Sequence, residues 1–258
     1  AHLKSRNMKQ TIMLGFSDGT KDGGYFMANW SIYKAKEELS DVSSEYGIAV
    51  AFFDGRGGPP ARGGGNTHQF YASMGDRIKA DDIQLTVQGQ TISSNFGTID
   101  SSQFNLEQLL SSGISNQVFK NEDNDLADED RITMQQLADT SYKSYSDFKS
   151  HPKFVPYLEN MSTLQYYSKT NIGSRPSKRG NSKELNFSDL RAIPFVGSWS
   201  QSKQNVPGFF GVGSAILAFD ERGEFDKVDS LYQNSAFFRT LIANSMMSLT
   251  KSFFKLTA

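Results

Sequence analysis

The sequence predicts a helix-rich α/β fold built on a parallel sheet. Two short apolar runs, Thr11–Phe16 and Ile48–Phe53, have the length and composition of buried strands. Between them, aromatic and aliphatic residues recur at helical spacing from Phe26 to Tyr46. Strand, helix, strand is the βαβ unit of a parallel sheet, which is either open or closed into a barrel.

Further strands are expected along the chain. Gln84–Gln88 alternates as a strand does, and Thr91–Phe96 either pairs with it or continues it. Ala192–Gly197 is another short apolar run, and it predicts a buried strand that leads into Trp199. The core is therefore expected to contain about four strands.

The remaining segments are assigned to helices and loops. Helical periodicity predicts helices over Phe104–Ile114 and Arg131–Phe148, and one amphipathic helix from Val228 to the end of the chain. The acidic Asn121–Asp130 and the basic Ser168–Lys183 are expected to be exposed loops. A helix that runs into the last residue suggests that the chain is a piece of something longer.

Composition excludes several classes of protein. Lys plus Arg number 27 and Asp plus Glu number 28, and the resulting charge of −1 argues against a general binder of nucleic acid or anionic membrane. The chain has no cysteine, so disulfides, thiolate catalysis and Cys-ligated zinc are excluded. No run reaches the roughly 18 apolar residues of a membrane span. A soluble, cytoplasmic protein is expected.

A glycine-dense loop follows the second predicted strand. Over Asp54–Gly65, six positions are Gly and two, Arg56 and Arg62, are Arg. Glycine lets backbone N–H groups approach a ligand, and two guanidiniums beside them can clamp phosphate or carboxylate. A flexible RNA-binding Gly-Arg segment is the alternative, but such segments are usually repeats, and this one occurs once after a buried strand. An anion site is favoured.

The loop after the first strand offers two interpretations. Gly15–Gly19 matches G-x-S-x-G, which would make Ser17 a hydrolase nucleophile with His68 or His151 as its base. Too few residues precede it for the strands that such an enzyme needs. In the other interpretation Asp18 offers Mg²⁺ or Mn²⁺ a hard oxygen ligand and Lys21 stabilises negative charge. These residues alone equally well predict simple helix capping.

Five motifs stand in a specific order along the chain: Gly15–Gly24, Gly55–Gly65, Thr86–Gly89, Gly173–Arg179 and Leu190–Pro194. In these residues the chain resembles the phosphoenolpyruvate carboxylase family. The resemblance runs from about Gln10 to Lys251, nearly the whole sequence.

The resemblance implies carboxylation of phosphoenolpyruvate by bicarbonate to oxaloacetate and phosphate, with Mg²⁺ or Mn²⁺. It implies attack of bicarbonate on phosphorus, which gives carboxyphosphate and the enolate of pyruvate, and capture of the released carbon dioxide by that enolate. It also implies a helix-rich α/β barrel, a homotetramer, and feedback inhibition by acids such as aspartate or malate.

The same resemblance assigns roles to individual residues. Asp18 matches one of two carboxylate metal ligands, and Lys21 matches an active-site lysine. Arg56 and Arg191 match arginines that bind the substrate phosphate.

Three further positions carry family roles. Arg62 matches a catalytic arginine that feedback inhibitors can also engage, and Lys251 falls at a lysine of the inhibitor site. Met13 matches an apolar wall of the pocket for the small substrate.

The chain departs from the family pattern in two ways. Asp54 stands where the family has His before Gly-Arg-Gly-Gly, and a carboxylate there would weaken an anion clamp unless it is paired or held by a metal ion. The family's catalytic His and second metal carboxylate lie upstream and are absent. We therefore expect the second half of a barrel, residues 1–258, truncated at both ends and inactive alone. The alternative is a non-catalytic regulatory module that binds phosphate or another anion.

Overall fold

The structure of the chain, a computed structural model, describes residues 2–57, 66–79, 82–87, 90–118, 125–167, 169, 185–253 and 255. Up to residue 118 the elements are α1 (His2–Ser5), β1 (Lys9–Leu14), α2 (Phe16–Gly23), α3 (Tyr25–Glu45), β2 (Ala49–Gly57), α4 (Thr67–Ala72), β3 (Ile83–Val87), α5 (Gln90–Phe96) and α6 (Ile99–Val118). After it come α7 (Asp128–Lys149), α8 (Phe154–Asn160), α9 (Leu164–Tyr167), α10 (Ala192–Gln201), α11 (Val212–Glu221), α12 (Phe225–Asn234) and α13 (Ala236–Thr250), with 3-10 turns at Phe187–Asp189 and Val206–Gly208.

The strands of the described residues form one parallel sheet in the order β1-β2-β3. Leu14 of β1 lies opposite Asp54 of β2, which in turn lies opposite Leu85 of β3. The central strand buries Val50, Ala51 and Phe52, as a parallel strand covered on both faces requires. The predicted helix-rich α/β fold and its parallel sheet are confirmed.

Two predicted strands are wrong. Ala192–Gly197 lies in helix α10, so the sheet of the described residues has three strands rather than four, and Thr91–Phe96, which was expected to pair with or continue the third strand, lies in helix α5. A short apolar run does not distinguish a buried strand from a buried helix. Pro194 falls in the first turn of α10, where its missing N–H costs little, whereas a central strand would lose a ladder hydrogen bond there.

The predicted single helix from Val228 is also wrong. Ser235 has an extended backbone and separates α12 from α13. Its hydroxyl accepts a hydrogen bond from the N–H of Phe238 at 3.0 Å, so it caps the N-terminus of α13. The apolar periodicity continues across the break because both helices pack on the same core. Helix α13 ends at Thr250.

Part of the acidic segment Asn121–Asp130 forms the beginning of a helix. Asp128, Glu129 and Asp130 occupy the first turn of α7, where the helix dipole favours negative charge. Residues 121–124 lie outside the described residues, as do most of the predicted loop Ser168–Lys183 and the motif Gly173–Arg179.

Two apolar clusters hold the described elements together. The larger packs α3 and the sheet against α7 and the helices α11 to α13, with Trp30, Tyr33 and Phe237 among its fully buried aromatic residues. The smaller joins α8 to α10 around Phe195 and Trp199. Helix α2 packs against both α3 and α10, so it lies where the two clusters meet.

Replacement of Gly211 by alanine should destabilise the fold by about 2 kcal/mol or more, because the site combines left-handed backbone with a steric clash. Gly211 has φ of 89°, and a Cβ there would lie 2.5 Å from the carbonyl oxygen of Ser141 in α7. Gly223 is the matched control, since it has φ of 69° with nothing within 4 Å, and Gly223→Ala should cost only about 1 kcal/mol. Urea unfolding measures both, and equal losses would contradict the packing argument.

Candidate functional site

The candidate site lies at the carboxyl edge of the sheet. Parallel strands end at the same edge, and here β1 ends at Leu14, β2 at Gly57 and β3 at Val87. Asp18 follows β1 in the first turn of α2, and Arg56 is the next-to-last residue of β2. The structure therefore brings the motif Gly15–Gly24 and the described first residues of the glycine motif, Gly55–Gly57, to neighbouring strand ends.

Glycine at this edge allows the two strand ends to approach closely. A Cβ on Gly55 would lie 3.3 Å from the carbonyl oxygen of Leu14 and 3.9 Å from Cε of Met13. Met13 is 65% exposed and lies beside Gly55, where it is available as an apolar wall. The part of the glycine loop from residue 58 to 65 lies outside the described residues, and Arg62 is in it.

Asp18 is an exposed carboxylate with no hydrogen-bond or ion-pair partner among the described residues. Carboxylate oxygen is a ligand type that Mg²⁺ and Mn²⁺ prefer. In the part of the chain that the structure describes, no group of three Asp, Glu or His lies together to hold a metal ion. Asp18 thus fits the metal as one ligand, and the described residues do not supply the rest of the coordination shell.

Lys21 lies one turn further along α2 and is buried, with its ammonium held in place. Its Nζ lies 2.7 Å from Oδ1 of Asp22 and 4.6 Å from the ring centre of Phe187. The hydroxyl of Tyr145 in α7 donates to the main-chain carbonyl of Lys21 at 3.0 Å. An ammonium has three donors, so the Asp22 contact leaves capacity for an anionic ligand.

Lys149 is a second cation beside Lys21 that the motifs did not indicate. Its Nζ donates to the main-chain oxygen of Asp22 and lies 4.8 Å from the ring centre of Tyr145 and 5.4 Å from that of Phe187. Burial lowers the pKa of the Lys149 ammonium, Asp22 opposes this shift, and the charge on Lys21 adds to it. In the sequence Lys149 is only the residue that follows the predicted helix Arg131–Phe148, so its position beside α2 could not be predicted.

Arg191 immediately precedes α10, the helix that packs against α2. Its Nε is buried and has no hydrogen-bond partner within the described parts of the chain. A guanidinium with a desolvated, unused donor is ready to bind an anion, because an unsatisfied buried donor carries an energetic cost. Arg191 thus begins the helix that packs against α2, which carries Asp18 and Lys21.

Asp54 does not stand free beside the anion loop. It is 1% exposed, and its Oδ2 accepts hydrogen bonds from the ammonium of Lys36 at 2.6 Å and from the hydroxyl of Tyr71 at 2.8 Å. Lys36 is itself 3% exposed and comes from α3, while Tyr71 comes from α4. The negative charge that should weaken an anion site is therefore paired with a buried cation, and sequence reasoning missed that partner.

The hydrolase interpretation gains no support from the geometry. Ser17 lies inside α2 and does not have the positive φ that marks strained turns in this chain at Asn7, Met8 and Lys203. The imidazole of His151 accepts a hydrogen bond from the N–H of Lys153.

Lys251 is the residue that directly follows α13. It is exposed, and among the described residues its side chain makes no hydrogen bond or ion pair. With Arg62 undescribed, the predicted inhibitor site stays a prediction.

A comparison with known protein families gives a match along the whole chain. The family model described as phosphoenolpyruvate carboxylase matches residues 1–258. Within the described residues, no helix combines the length and the apolar character needed to cross a bilayer.

Proposed function

We propose, because this chain belongs to the phosphoenolpyruvate carboxylase family, that it forms part of an enzyme that converts phosphoenolpyruvate and bicarbonate to oxaloacetate and phosphate. The observation that carries the proposal is the grouping at the carboxyl edge of the sheet. Asp18, a carboxylate without a partner in the described part of the chain, lies on the same short helix as the buried ammonium of Lys21, beside the strand end that carries Arg56.

The proposed residue roles follow the charges that change during the reaction. Arg56 and Arg191 bind the phosphate of phosphoenolpyruvate, and the Nε of Arg191, which has no hydrogen-bond partner among the residues that the structure describes, supports that role. Bicarbonate oxygen attacks phosphorus, the bond from phosphorus to the enol oxygen breaks, and carboxyphosphate and the pyruvate enolate are formed. Carboxyphosphate then releases carbon dioxide and phosphate, and C3 of the enolate attacks the carbon dioxide. Lys21 stabilises the negative charge that develops on the reacting oxygens, while Met13 forms an apolar wall of the pocket for the small substrate.

A divalent cation, Mg²⁺ or Mn²⁺, would be held in part by Asp18 and would supply Lewis-acid stabilisation of the enolate. Arg62 is proposed to act in the carboxylation step. Arg62 and Lys251 together are proposed to bind acidic feedback inhibitors such as aspartate or malate.

We further propose that residues 1–258 are one piece of an α/β barrel, the second half of it, and that the complete enzyme is a cytoplasmic homotetramer. The sheet supports this, because consecutive parallel strands lie next to one another in the order β1-β2-β3, as in a barrel. Eight strands close such a barrel, so the described strands need partners from elsewhere. For that reason the 258-residue chain alone is expected to be inactive.

The proposal is tested by phosphate release from phosphoenolpyruvate by the complete natural protein that contains this chain. Release is measured with and without bicarbonate, in Mg²⁺ or Mn²⁺, and oxaloacetate is measured in parallel. Bicarbonate-dependent release with equal oxaloacetate supports the carboxylase. Phosphate binding without any release would instead favour a non-catalytic anion-binding module, and turnover by the isolated chain would contradict the inactivity of the fragment.

A further inference from the structure

A buried ion pair lies directly before the segment proposed to bind phosphate. Asp54 is the sixth residue of β2, and Arg56 follows it two residues later, about 7 Å further along the strand. The pairing of β2 with β3 becomes irregular between Asp54 and Gly57, so the regular ladder ends at the ion pair. The contacts of the Asp54 side chain therefore hold in place the last residue of β2 that pairs regularly with β3 before the glycine loop.

Two elements anchor Asp54 from outside the sheet. Oδ2 accepts from Lys36 of α3 at 2.6 Å and from Tyr71 of α4 at 2.8 Å, while Oδ1 has no partner among the described residues. One carboxylate oxygen thus joins β2 to the helices before and after it. All three side chains are buried, so these contacts are made away from bulk water.

The surroundings of Lys36 suit a cation. Its Nζ lies 5.4 Å from the ring centre of Phe52, 5.6 Å from that of Tyr71 and 6.0 Å from that of Phe16. Aromatic faces attract an ammonium when it is desolvated. Lys36 is therefore held by rings as well as by the carboxylate, and the buried pair is electrically neutral as a unit.

We propose that Lys36 and Asp54 act as one positioning unit for phosphate binding, in which Lys36 cancels a carboxylate charge that would otherwise oppose the substrate phosphate. This inference rests on the proposed function, since it concerns the phosphate of phosphoenolpyruvate. An aspartate is tolerated before Gly55–Gly57 because the compensating positive charge comes from α3, 18 residues earlier in the chain. Lys36 is a positioning residue and does not contact the substrate.

Removal of the two charges is expected to change the KM for phosphoenolpyruvate in different directions. In the complete enzyme, Lys36→Met should leave an uncompensated buried carboxylate and raise the KM for phosphoenolpyruvate about tenfold, which corresponds to 1.4 kcal/mol. Asp54→Asn removes the negative charge and leaves the cation, so the KM for phosphoenolpyruvate should stay the same or fall. The double variant Lys36→Met with Asp54→Asn should return KM to within about threefold of the wild type. The KM for bicarbonate should change little in all three.

A purely structural pair would behave differently. Both single variants would then lose the same contact, lower Tm together and raise KM in the same direction. An increase of more than about threefold in the KM for phosphoenolpyruvate on Asp54→Asn overturns the proposal. Because that variant removes the carboxylate charge itself, it decides the question even if Lys36→Met does not fold.

The matched control is Lys34→Met, on the same helix. Lys34 donates to Gln135 of α7 rather than to the sheet, so its replacement should leave both KM values unchanged. Inorganic phosphate binding, measured by calorimetry on the same variants, separates this inference from the proposed function. If the wild type does not carboxylate, the proposed function fails, whereas equal phosphate affinity in wild type and Lys36→Met overturns the positioning unit.

Discussion

Replacing Asp18 by asparagine should lower kcat/KM for phosphoenolpyruvate carboxylation by roughly 100-fold or more in the complete enzyme, the loss typical of removing one electrostatic stabiliser of a transition state. Asparagine keeps the shape of the side chain and removes the negative charge that a divalent cation needs. Because Asp18 is exposed and has no partner among the described residues, the free energy of unfolding should change by less than about 0.5 kcal/mol. Activity and urea unfolding measure the two effects separately.

Direct binding of Mn²⁺, followed by electron paramagnetic resonance, tests the assigned role without relying on turnover. Asp18→Asn should weaken that binding, and Glu38→Gln, an exposed carboxylate on the following helix, should not. Lost activity with unchanged Mn²⁺ affinity would remove Asp18 from the metal site. A large loss of stability would instead indicate that Asp18 serves mainly the start of α2.

The sequence was sufficient to predict the sheet wherever strand length and apolar composition coincided. β1 and β2 were each predicted within a few residues from short apolar runs, and β3 from its alternation; the central strand β2 is buried as such a run implies, whereas β1 is partly exposed. The same criterion failed at Ala192–Gly197, where an equally apolar run forms α10. Pro194 was the local signal against a strand there, and it weighs more than composition since proline removes a ladder hydrogen bond.

The sequence predicts those residues of the candidate site that lie at or just after the ends of strands. Asp18 and Arg56 lie at one edge because parallel strands end together, and that rule needs only the order of elements. The partners Lys36 and Lys149 were not predictable, because each is an ordinary lysine on a helix until the fold brings it to Asp54 or Asp22. Sequence spacing shows where a charge is required, and only packing shows which residue supplies it.

The largest effect on stability is expected at the ion pair between α3 and α7. Glu37 is 3% exposed, and its two carboxylate oxygens accept from both terminal nitrogens of Arg131 at 2.7 and 2.6 Å. Nε of Arg131 also donates to the carbonyl of Leu126, just before α7. The hydrogen bonds that Arg131 donates to Glu37 raise the pKa of the guanidinium above its already high value, so Arg131 stays charged throughout the range in which proteins are studied.

Arg131→Met should destabilise the protein by about 3 kcal/mol, because it leaves Glu37 buried without its main partner. The variant pair Glu37→Met with Arg131→Met should recover most of this loss, since apolar side chains of similar volume can replace a buried ion pair. Arg77 is the control: it lies 3.9 Å from Glu37 but is half exposed and pairs mainly with the exposed Asp41, so Arg77→Met should cost less than about 1 kcal/mol. Urea unfolding of the wild type and these three variants measures each loss of stability against one reference. A loss below about 1 kcal/mol for Arg131→Met would show that Arg77 or water compensates Glu37, and the bidentate pair would then not be what joins α3 to α7.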